Sequence, residues 1–128
     1  MPDIVTHQQQ VEHNRKASAY LQQAGDVYLD WAVTVLFYTA LHLVDQVLYH
    51  NARFHPRNHY QRHAAIANEP ALVPIYGDYR ELEHQSRRSR YECARFTPDE
   101  VERLSTRLAH IEQTVNVSTL DSGVDKRS

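Results

Sequence analysis

Apolar residues recur along most of this chain with the three- and four-residue spacing of helices that bury one face. The spacing predicts a helix with a weak apolar face over 4–24 and a second helix over 27–50 that is apolar nearly all round. Gly25 interrupts the pattern between them, and Asp26 is a candidate N-cap for the second helix. A helix that is apolar on most sides must be covered on most sides, so we expect it at the centre of a bundle.

The second half of the chain predicts three more helices. Asn58 is a candidate cap for a short helix that ends near Asn68, and a fourth helix is expected over 73–95. Thr97-Pro98-Asp99-Glu100 forms a capping box with proline at the first helical position, which predicts a fifth helix. Residues 118–128 are expected to form a disordered tail. The apolar face of the fifth helix consists of Val101, Leu104, Leu108, Ile111 and Val115.

Composition favours an all-α protein. The chain has only 3 glycines and 5 prolines in 128 residues, so it lacks the frequent turns of an all-β chain. Leu, Ala, Glu, Gln and Arg dominate its periodic segments and favour helix. The number of helices and their short connections predict a four- to five-helix bundle that forms one domain over 1–117.

Charge is uneven along the chain although the formal net charge is only −2. Residues 53–95 hold eight arginines against five carboxylates, about +3, and could bind an anion or an RNA backbone. Solvated helix faces with local ion pairs are the alternative. Cys93 is the only cysteine, which excludes an intrachain disulfide and a cysteine metal site.

Neither the N-terminal segment nor the apolar core predicts contact with a membrane. Residues 1–16 lack the apolar stretch of a signal peptide. The longest apolar stretch, 31–44, is too short to span a bilayer and indicates a buried helix. We therefore expect a cytoplasmic protein, and no motif predicts a cofactor.

A polar stripe interrupts the apolar second helix. Its members recur every three or four residues and so share one helical face: Thr34, Tyr38, His42, Asp45 and Tyr49. Buried charges must be paired and hydrogen-bonded. The stripe therefore faces solvent or a partner, forms a satisfied internal network, or lines a site in which Asp45 orients His42.

Three histidines, His55, His59 and His63, follow the second helix. His59 and His63 are one helical turn apart, a spacing that can hold zinc. Neither has an adjacent Glu to complete the helical zinc-protease pattern, so we predict no metal site and keep incidental metal binding as an alternative.

Arginine and histidine together can cleave RNA without a metal. A base must activate the ribose 2′-OH, an acid must protonate the leaving oxygen, and a cation must stabilise the phosphorane. Arg57 and His63 supply these groups if Arg57 precedes the start of the third helix, as Pro56 and Asn58 suggest. A second arginine group, Arg87, Arg88 and Arg90 beside Tyr91, suits phosphate contact and base stacking. Pairing of these arginines with Glu81, Glu83 and Glu92 is equally consistent with the sequence.

Residues 10–116 resemble the HEPN superfamily of small helical domains. The resemblance rests on the aromatic and small-residue segment Phe37-Tyr38-Thr39-Ala40-Leu41-His42, on the turn His55-Pro56-Arg57-Asn58-His59, and on the later Tyr79…Leu82…Arg90-Tyr91. It implies an up-and-down helical bundle that dimerises. Many such domains are metal-independent ribonucleases that use an Arg, a polar residue directly after it, and a His that follows four to six intervening residues. Arg57, Asn58 and His63 match that pattern, with five residues between Arg57 and His63.

The resemblance also implies a role as a toxin with an antitoxin or other protein partner, in antiphage defence, or in RNA processing. One departure concerns the position of the motif. The resemblance implies a motif that leads into a helix near the C-terminal half, but here it follows the second helix directly. The later arginine segment, 87–95, contains no histidine. This arrangement is similar to HEPN members with a degenerate active-site motif, which bind a nucleotide or a protein partner without catalysis.

The first hypothesis is thus a HEPN-like homodimer that acts on RNA as a metal-independent endoribonuclease, with Arg57 and His63 catalytic. The alternatives are a non-catalytic HEPN module and a structural bundle with incidental metal binding by histidine. The residues expected to bind substrate are His55, Asn58, His59, Arg62, Arg87, Arg88, Arg90 and Tyr91, beside a polar stripe of Tyr38, His42 and Asp45.

Overall fold

A computed structural model describes the backbone of residues 4–25 and 28–127 and the side chains of 5–25 and 28–116. All regular structure in these residues is helical, which confirms the all-α prediction. The helices are α1 (Ile4–Gln23), α2 (Leu29–Ala52), α3 (His59–Ala67), α4 (Tyr76–Tyr91) and α5 (Pro98–Arg127), with a 3₁₀ turn at Val73–Ile75 before α4.

The ends of the first three helices follow local backbone chemistry. After α1 the chain passes through Gly25 at a φ of 105°, which glycine adopts without steric cost. Asp26, the predicted cap of α2, lies outside the described residues. α2 ends at Ala52, and Arg53 caps it in a left-handed conformation with a φ of 53°. Asn58 caps α3 as predicted, because its side chain accepts a hydrogen bond from the backbone N–H of Gln61.

The last two helices differ from the prediction mainly at their ends. α4 ends at Tyr91 and not near Arg95, because Cys93 adopts a left-handed φ of 53°. The predicted capping box starts α5: Thr97 Oγ1 accepts from the N–H of Glu100 at 3.2 Å, and Glu100 Oε1 accepts from the N–H of Thr97 at 3.1 Å. The backbone of α5 continues as helix to Arg127, through 118–127 where the sequence predicts a disordered tail; the disorder stays a prediction.

Side-chain contacts give the helix directions. α1 and α2 are antiparallel, because His7 near the start of α1 meets His42 in the second half of α2. α2 and α4 are antiparallel, because Ser89 at the end of α4 donates to the carbonyl of Asp30 at the start of α2. The short loop 92–97 returns the chain into α5. The long helices therefore run up and down, and α3 lies in the connection between α2 and α4.

α2 is the central helix, as its all-round apolar pattern predicts. It packs against α1, α4 and α5. By length and composition α2 is the one helix among the described residues that could cross a membrane, but 78% of its apolar window is buried in the bundle. The five apolar residues predicted for one face of α5 are all buried against the same core.

Candidate functional site

Polar side chains from three helices meet on one side of α2. Because Asn58 fixes the start of α3, His59, Arg62 and His63 occupy positions one turn apart and share a helical face. That face meets α2 on one side and α4 on the other. We call the group the α2–α3–α4 cluster; its members are Asp45, His59, Arg62, His63, Tyr76, Tyr79 and Glu83.

Asp45 and Arg62 form a buried bidentate ion pair. Nε of Arg62 donates to Oδ1 of Asp45 at 2.7 Å, and an η nitrogen donates to Oδ2 at 3.0 Å. Burial alone would lower the pKa of Arg62, but the hydrogen bonds and charge of Asp45 outweigh it and raise that pKa. Of the three interpretations of the polar stripe, the satisfied internal network therefore describes Asp45. Arg62, predicted to bind substrate, is instead buried in this pair.

His63 has both ring nitrogens engaged. Nε2 lies 2.8 Å from Oε1 of Glu83, and Nδ1 lies 2.9 Å from the hydroxyl of Tyr76. An ionised carboxylate only accepts hydrogen bonds, so Nε2 carries the proton and Nδ1 of the neutral ring accepts from Tyr76. In this arrangement His63 has no free nitrogen with which to exchange a proton with a substrate.

His59 presents the more accessible imidazole. Its Nδ1 lies 3.6 Å from Oε2 of Glu83, an ion-pair distance that is too long for a hydrogen bond. That Oε2 atom is buried and accepts no hydrogen bond from the described residues. The side chain of His59 is 55% exposed, and its Nε2 forms no hydrogen bond within the described part of the chain. Glu83 therefore lies between a fully engaged histidine and an accessible one.

The surroundings of His59 favour its neutral form. Burial is the largest cause and lowers its pKa below 6.5, while the carboxylate of Glu83 opposes this shift. The charges of Arg62 and Arg90 lower the pKa further. His59 is consequently a neutral base at pH 7.

Arg90 is held at the edge of the site by two tyrosines. Its Nη1 donates to the hydroxyl of Tyr38 at 3.0 Å, and its Nε donates to the carbonyl of Ser86 at 3.3 Å. The guanidinium carbon lies 5.6 Å from the ring centre of Tyr38 and 5.1 Å from that of Tyr91. Nη2 makes no hydrogen bond among the described residues and remains available for an anion.

The arginine segment of α4 does not form the local ion pairs that the sequence allowed. Arg88 donates to Oε1 of Gln85, and no described acidic residue of α4 pairs with Arg87, Arg88 or Arg90. Arg87 is exposed, and Tyr91 is 72% exposed. This end of α4 therefore presents cations beside an aromatic ring to solvent.

The predicted pairing of Arg57 with His63 is not formed. Arg57 is exposed in the turn before α3, where its backbone N–H donates to the side chain of Gln61 at 2.9 Å. Its guanidinium forms no hydrogen bond or ion pair with the described residues, whereas His63 faces Tyr76 and Glu83. Asn58, predicted to bind substrate, is occupied as the cap of α3.

His42 and His55 belong to a separate cluster between α1 and α2. The Nδ1 atoms of His7 and His42 are 2.9 Å apart, so one ring donates to the other. The ring centre of His55 lies 4.5 Å from that of Tyr49 and 6.4 Å from that of His7. Burial, and then the charge of His7, lowers the pKa of His42. Asp45 does not hydrogen-bond His42, so it does not orient that ring.

The geometry identifies two residues that the sequence interpretation missed. Glu83 and Tyr76 hold His63, and the only sequence signal for Glu83 is its position one turn after Tyr79 on the buried face of α4. Within the described residues no group of three or more His, Cys, Asp or Glu side chains is arranged to hold a metal ion. His59 and His63 are one turn apart, and the carboxylate of Glu83 lies beside both.

Comparison with protein-family models, curated proteins and solved structures found no match to this chain. The resemblance to HEPN domains therefore rests on the sequence features alone. The coarser part of that expectation, an all-helical bundle, holds in the described residues.

Proposed function

We propose that this protein is a HEPN-like, metal-independent endoribonuclease in which His59, not His63, is the general base. The observation that carries the proposal is the carboxylate of Glu83, which holds His63 at 2.8 Å and lies 3.6 Å from Nδ1 of the exposed His59. A carboxylate beside one imidazole nitrogen favours the proton on that nitrogen, which leaves the other nitrogen free as a base. His63 and Tyr76 then act as positioning residues that fix Glu83.

The reaction is an intramolecular transfer at phosphorus. Nε2 of His59 removes the proton of the ribose 2′-OH, and O2′ forms a bond to phosphorus. The P–O5′ bond breaks, and O5′ takes a proton from solvent. The products are a 2′,3′-cyclic phosphate and a 5′-hydroxyl end, and His59 returns its proton to solvent. This sequence of steps needs no metal and no redox partner.

Two arginines, Arg90 and Arg57, supply the positive charge in this proposal. Arg90 has a free η nitrogen, and its partner Tyr38 lies beside Phe37, whose ring centre is 6.2 Å from that of His59. This arrangement supports a role for Arg90 in stabilising a phosphorane. Arg57 precedes His59 by two residues and is exposed, which suits a contact with a neighbouring phosphate. Arg87 and Tyr91 extend this surface with a further cation and a ring for base stacking.

A non-catalytic anion-binding module is the second candidate. It is favoured by the same guanidinium of Arg90, which stacks on two tyrosines, and by the full engagement of His63. Such a module would bind a nucleotide or RNA through the arginines without needing a base. The HEPN resemblance adds to both candidates the proposal of a cytoplasmic homodimer with an antitoxin or another protein partner.

The test is cleavage of a mixed RNA pool in excess EDTA. Wild type should cut, and His59→Ala should lose about 10²- to 10⁴-fold in rate, the usual contribution of a general base. Arg90→Ala should lose rate through weaker stabilisation of the phosphorane. His84→Ala is the matched control, because His84 is an exposed histidine of α4 outside the cluster, and it should cut like wild type.

Two further variants separate the roles within the cluster. His63→Gln should reduce the rate less than His59→Ala, since His63 acts through Glu83. An inert wild type that still binds RNA would replace the ribonuclease with the binding module. Equal activity of wild type and His59→Ala would exclude His59 as the base.

A further inference from the structure

A small pocket opens at the surface beside Arg90. We call it the Trp31 pocket; it is a cavity of about 140 Å³ between the start of α2 and the end of α4. Ligand sites for drug-sized molecules are several hundred cubic ångström. The Trp31 pocket can therefore admit one flat ring system but not a whole nucleotide. Its lining residues are Asp30, Trp31, Thr34, Ser89 and Arg90.

Hydrogen bonds between α2 and α4 hold the walls of this pocket in place. Ser89 donates to the carbonyl of Asp30 at 2.7 Å, and Thr34 lies 3.3 Å from both that carbonyl and the hydroxyl of Ser89. These hydrogen bonds fix α2 against α4 and set the width of the pocket. The hydroxyls are therefore occupied in structure, and the groups left for a ligand are the carboxylate of Asp30, the ring of Trp31 and the cation of Arg90.

Two of these groups are in environments that are unusual in a folded protein: a carboxylate oxygen without a hydrogen bond and a tryptophan with much of its side chain exposed. Oδ1 of Asp30 is buried and accepts no hydrogen bond, which is costly for a carboxylate oxygen. Trp31 is 58% exposed, although a tryptophan is usually among the more buried side chains. A planar ligand with N–H donors would stack on the ring and satisfy the carboxylate once the Asp30 side chain turns its buried oxygen toward the pocket.

We infer that the Trp31 pocket binds a guanine base. On its Watson–Crick edge guanine carries two adjacent N–H donors, N1–H and the N2 amino group, which match the two oxygens of a carboxylate. Adenine, cytosine and uracil each set an acceptor beside their donor on that edge, and a carboxylate repels an acceptor. Stacking on Trp31 holds any base, so the carboxylate of Asp30 provides the selectivity.

This inference deepens the proposed function and rests on it for the role of the base in cleavage. Asp30 and Tyr38, the partner of Arg90, are separated by eight residues of α2, or about 12 Å of helix. Arg90 lines the pocket, and its partner Tyr38 lies beside Phe37, whose ring centre is 6.2 Å from that of His59. A guanine in the pocket would thus place its own or a neighbouring phosphate against Arg90 and His59, and cleavage would depend on a nearby guanine.

The test uses Trp31 as its own probe, because it is the only tryptophan of the chain. Fluorescence is titrated with GMP, AMP, CMP and UMP. GMP should quench at concentrations at least about tenfold lower than the other three, the discrimination expected of a good bidentate contact. IMP, which lacks the N2 amino group, should fall between GMP and AMP.

Asp30→Asn should remove the preference for GMP while leaving weak stacking of all bases. The matched control is Asp99→Asn, which makes the same change in the first turn of α5 and should bind like wild type. The base could belong to RNA or to a free nucleotide, and a further titration separates these two sources. It uses octauridylate in which one uridine is replaced by guanosine, compared with the same strand carrying adenosine. Tighter binding of the guanine strand than of GMP identifies RNA, and equal binding identifies a free guanine nucleotide.

Equal quenching by all four nucleotides, no quenching, or an unchanged preference in Asp30→Asn would each overturn the guanine site. The RNA cleavage test with His59→Ala does not depend on these titrations. Cleavage without base preference would leave the ribonuclease standing and remove the pocket. Selective GMP binding without cleavage would keep the pocket and remove the ribonuclease.

Discussion

Arg62 and Asp45 join α3 to α2 through two hydrogen bonds of 2.7 and 3.0 Å, with each residue only 7% exposed. A helix as short as α3, which has nine residues, is not stable by itself and depends on tertiary contacts. The ion pair therefore anchors α3. Because His59 and His63 flank Arg62 on the same helix, the pair also sets where both imidazoles point.

Breaking this pair from one side should destabilise the protein strongly. Arg62→Met or Asp45→Leu leaves a buried charge without its partner, which typically costs about 3–5 kcal/mol. The double variant Asp45→Leu/Arg62→Met removes both charges, so its loss should be smaller than the sum of the single losses. Urea unfolding of the four proteins gives the coupling energy.

The control is the exposed pair Asp78–Arg107, which joins α4 to α5. Arg107→Met should cost no more than about 1 kcal/mol, as expected for a surface ion pair. Additive losses for Asp45→Leu and Arg62→Met would contradict a direct coupling between the two residues.

The rate of RNA cleavage should rise with pH, and the acidic limb of the pH–rate profile should have its midpoint below pH 6.5. A general base acts only when neutral, and the pKa of His59 is lowered, chiefly by burial. Since Glu83 raises that pKa and Arg90 lowers it, Glu83→Gln should move the limb to lower pH and Arg90→Gln to higher pH. Profiles of kcat/KM against pH measure both shifts. Shifts of the same sign in the two variants would rule out His59 as the titrating base.

Stability should fall as the solution is acidified from about pH 7. The pKa of His42 in the folded protein is lowered below the 6.5 of an unperturbed histidine, first by burial and then by His7. Below about pH 6.5 this histidine is protonated in the unfolded chain but still neutral in the folded protein. Stability therefore falls with decreasing pH until His42 is protonated in the folded protein as well. Above pH 7 neither state is protonated there, so this loss vanishes.

His42→Gln should therefore lose less stability than wild type between pH 7.5 and pH 5. His84→Gln, at an exposed position of α4, should keep the wild-type dependence. Urea unfolding at the two pH values makes the comparison. An identical pH slope in wild type and His42→Gln would show that His42 does not contribute.

The sequence predicts the helices well because each depends on local chemistry. The capping box at Thr97 and the cap at Asn58 are formed as their residue types predict, and the apolar spacing of α5 matches its buried face. The site is less predictable because its partners are far apart in sequence. Glu83 and Tyr76 determine the role of His63, yet they follow it by 20 and 13 residues.

The placement of the arginines is hard to predict for a related reason. Spacing alone paired Arg57 with His63, and nothing in the sequence distinguishes the buried Arg62 from its exposed neighbours. The polar stripe carried the missing signal, because a carboxylate such as Asp45 on an apolar helix needs a cation from another element. Arg62 is the cation that meets it.

Cys93 should be more favourable as glycine, because its left-handed φ of 53° suits a residue without a side chain. An L-residue pays about 1–2 kcal/mol in that conformation, and the greater freedom of glycine in the unfolded chain offsets part of this. Cys93→Gly should therefore raise the free energy of unfolding by up to about 1 kcal/mol. Cys93→Ala removes the thiol but keeps the strain, so it should change stability by less than about 0.5 kcal/mol. Equal stability of the two variants in urea would mean that the turn that ends α4 after Arg90 and Tyr91 does not hold Cys93 in this conformation.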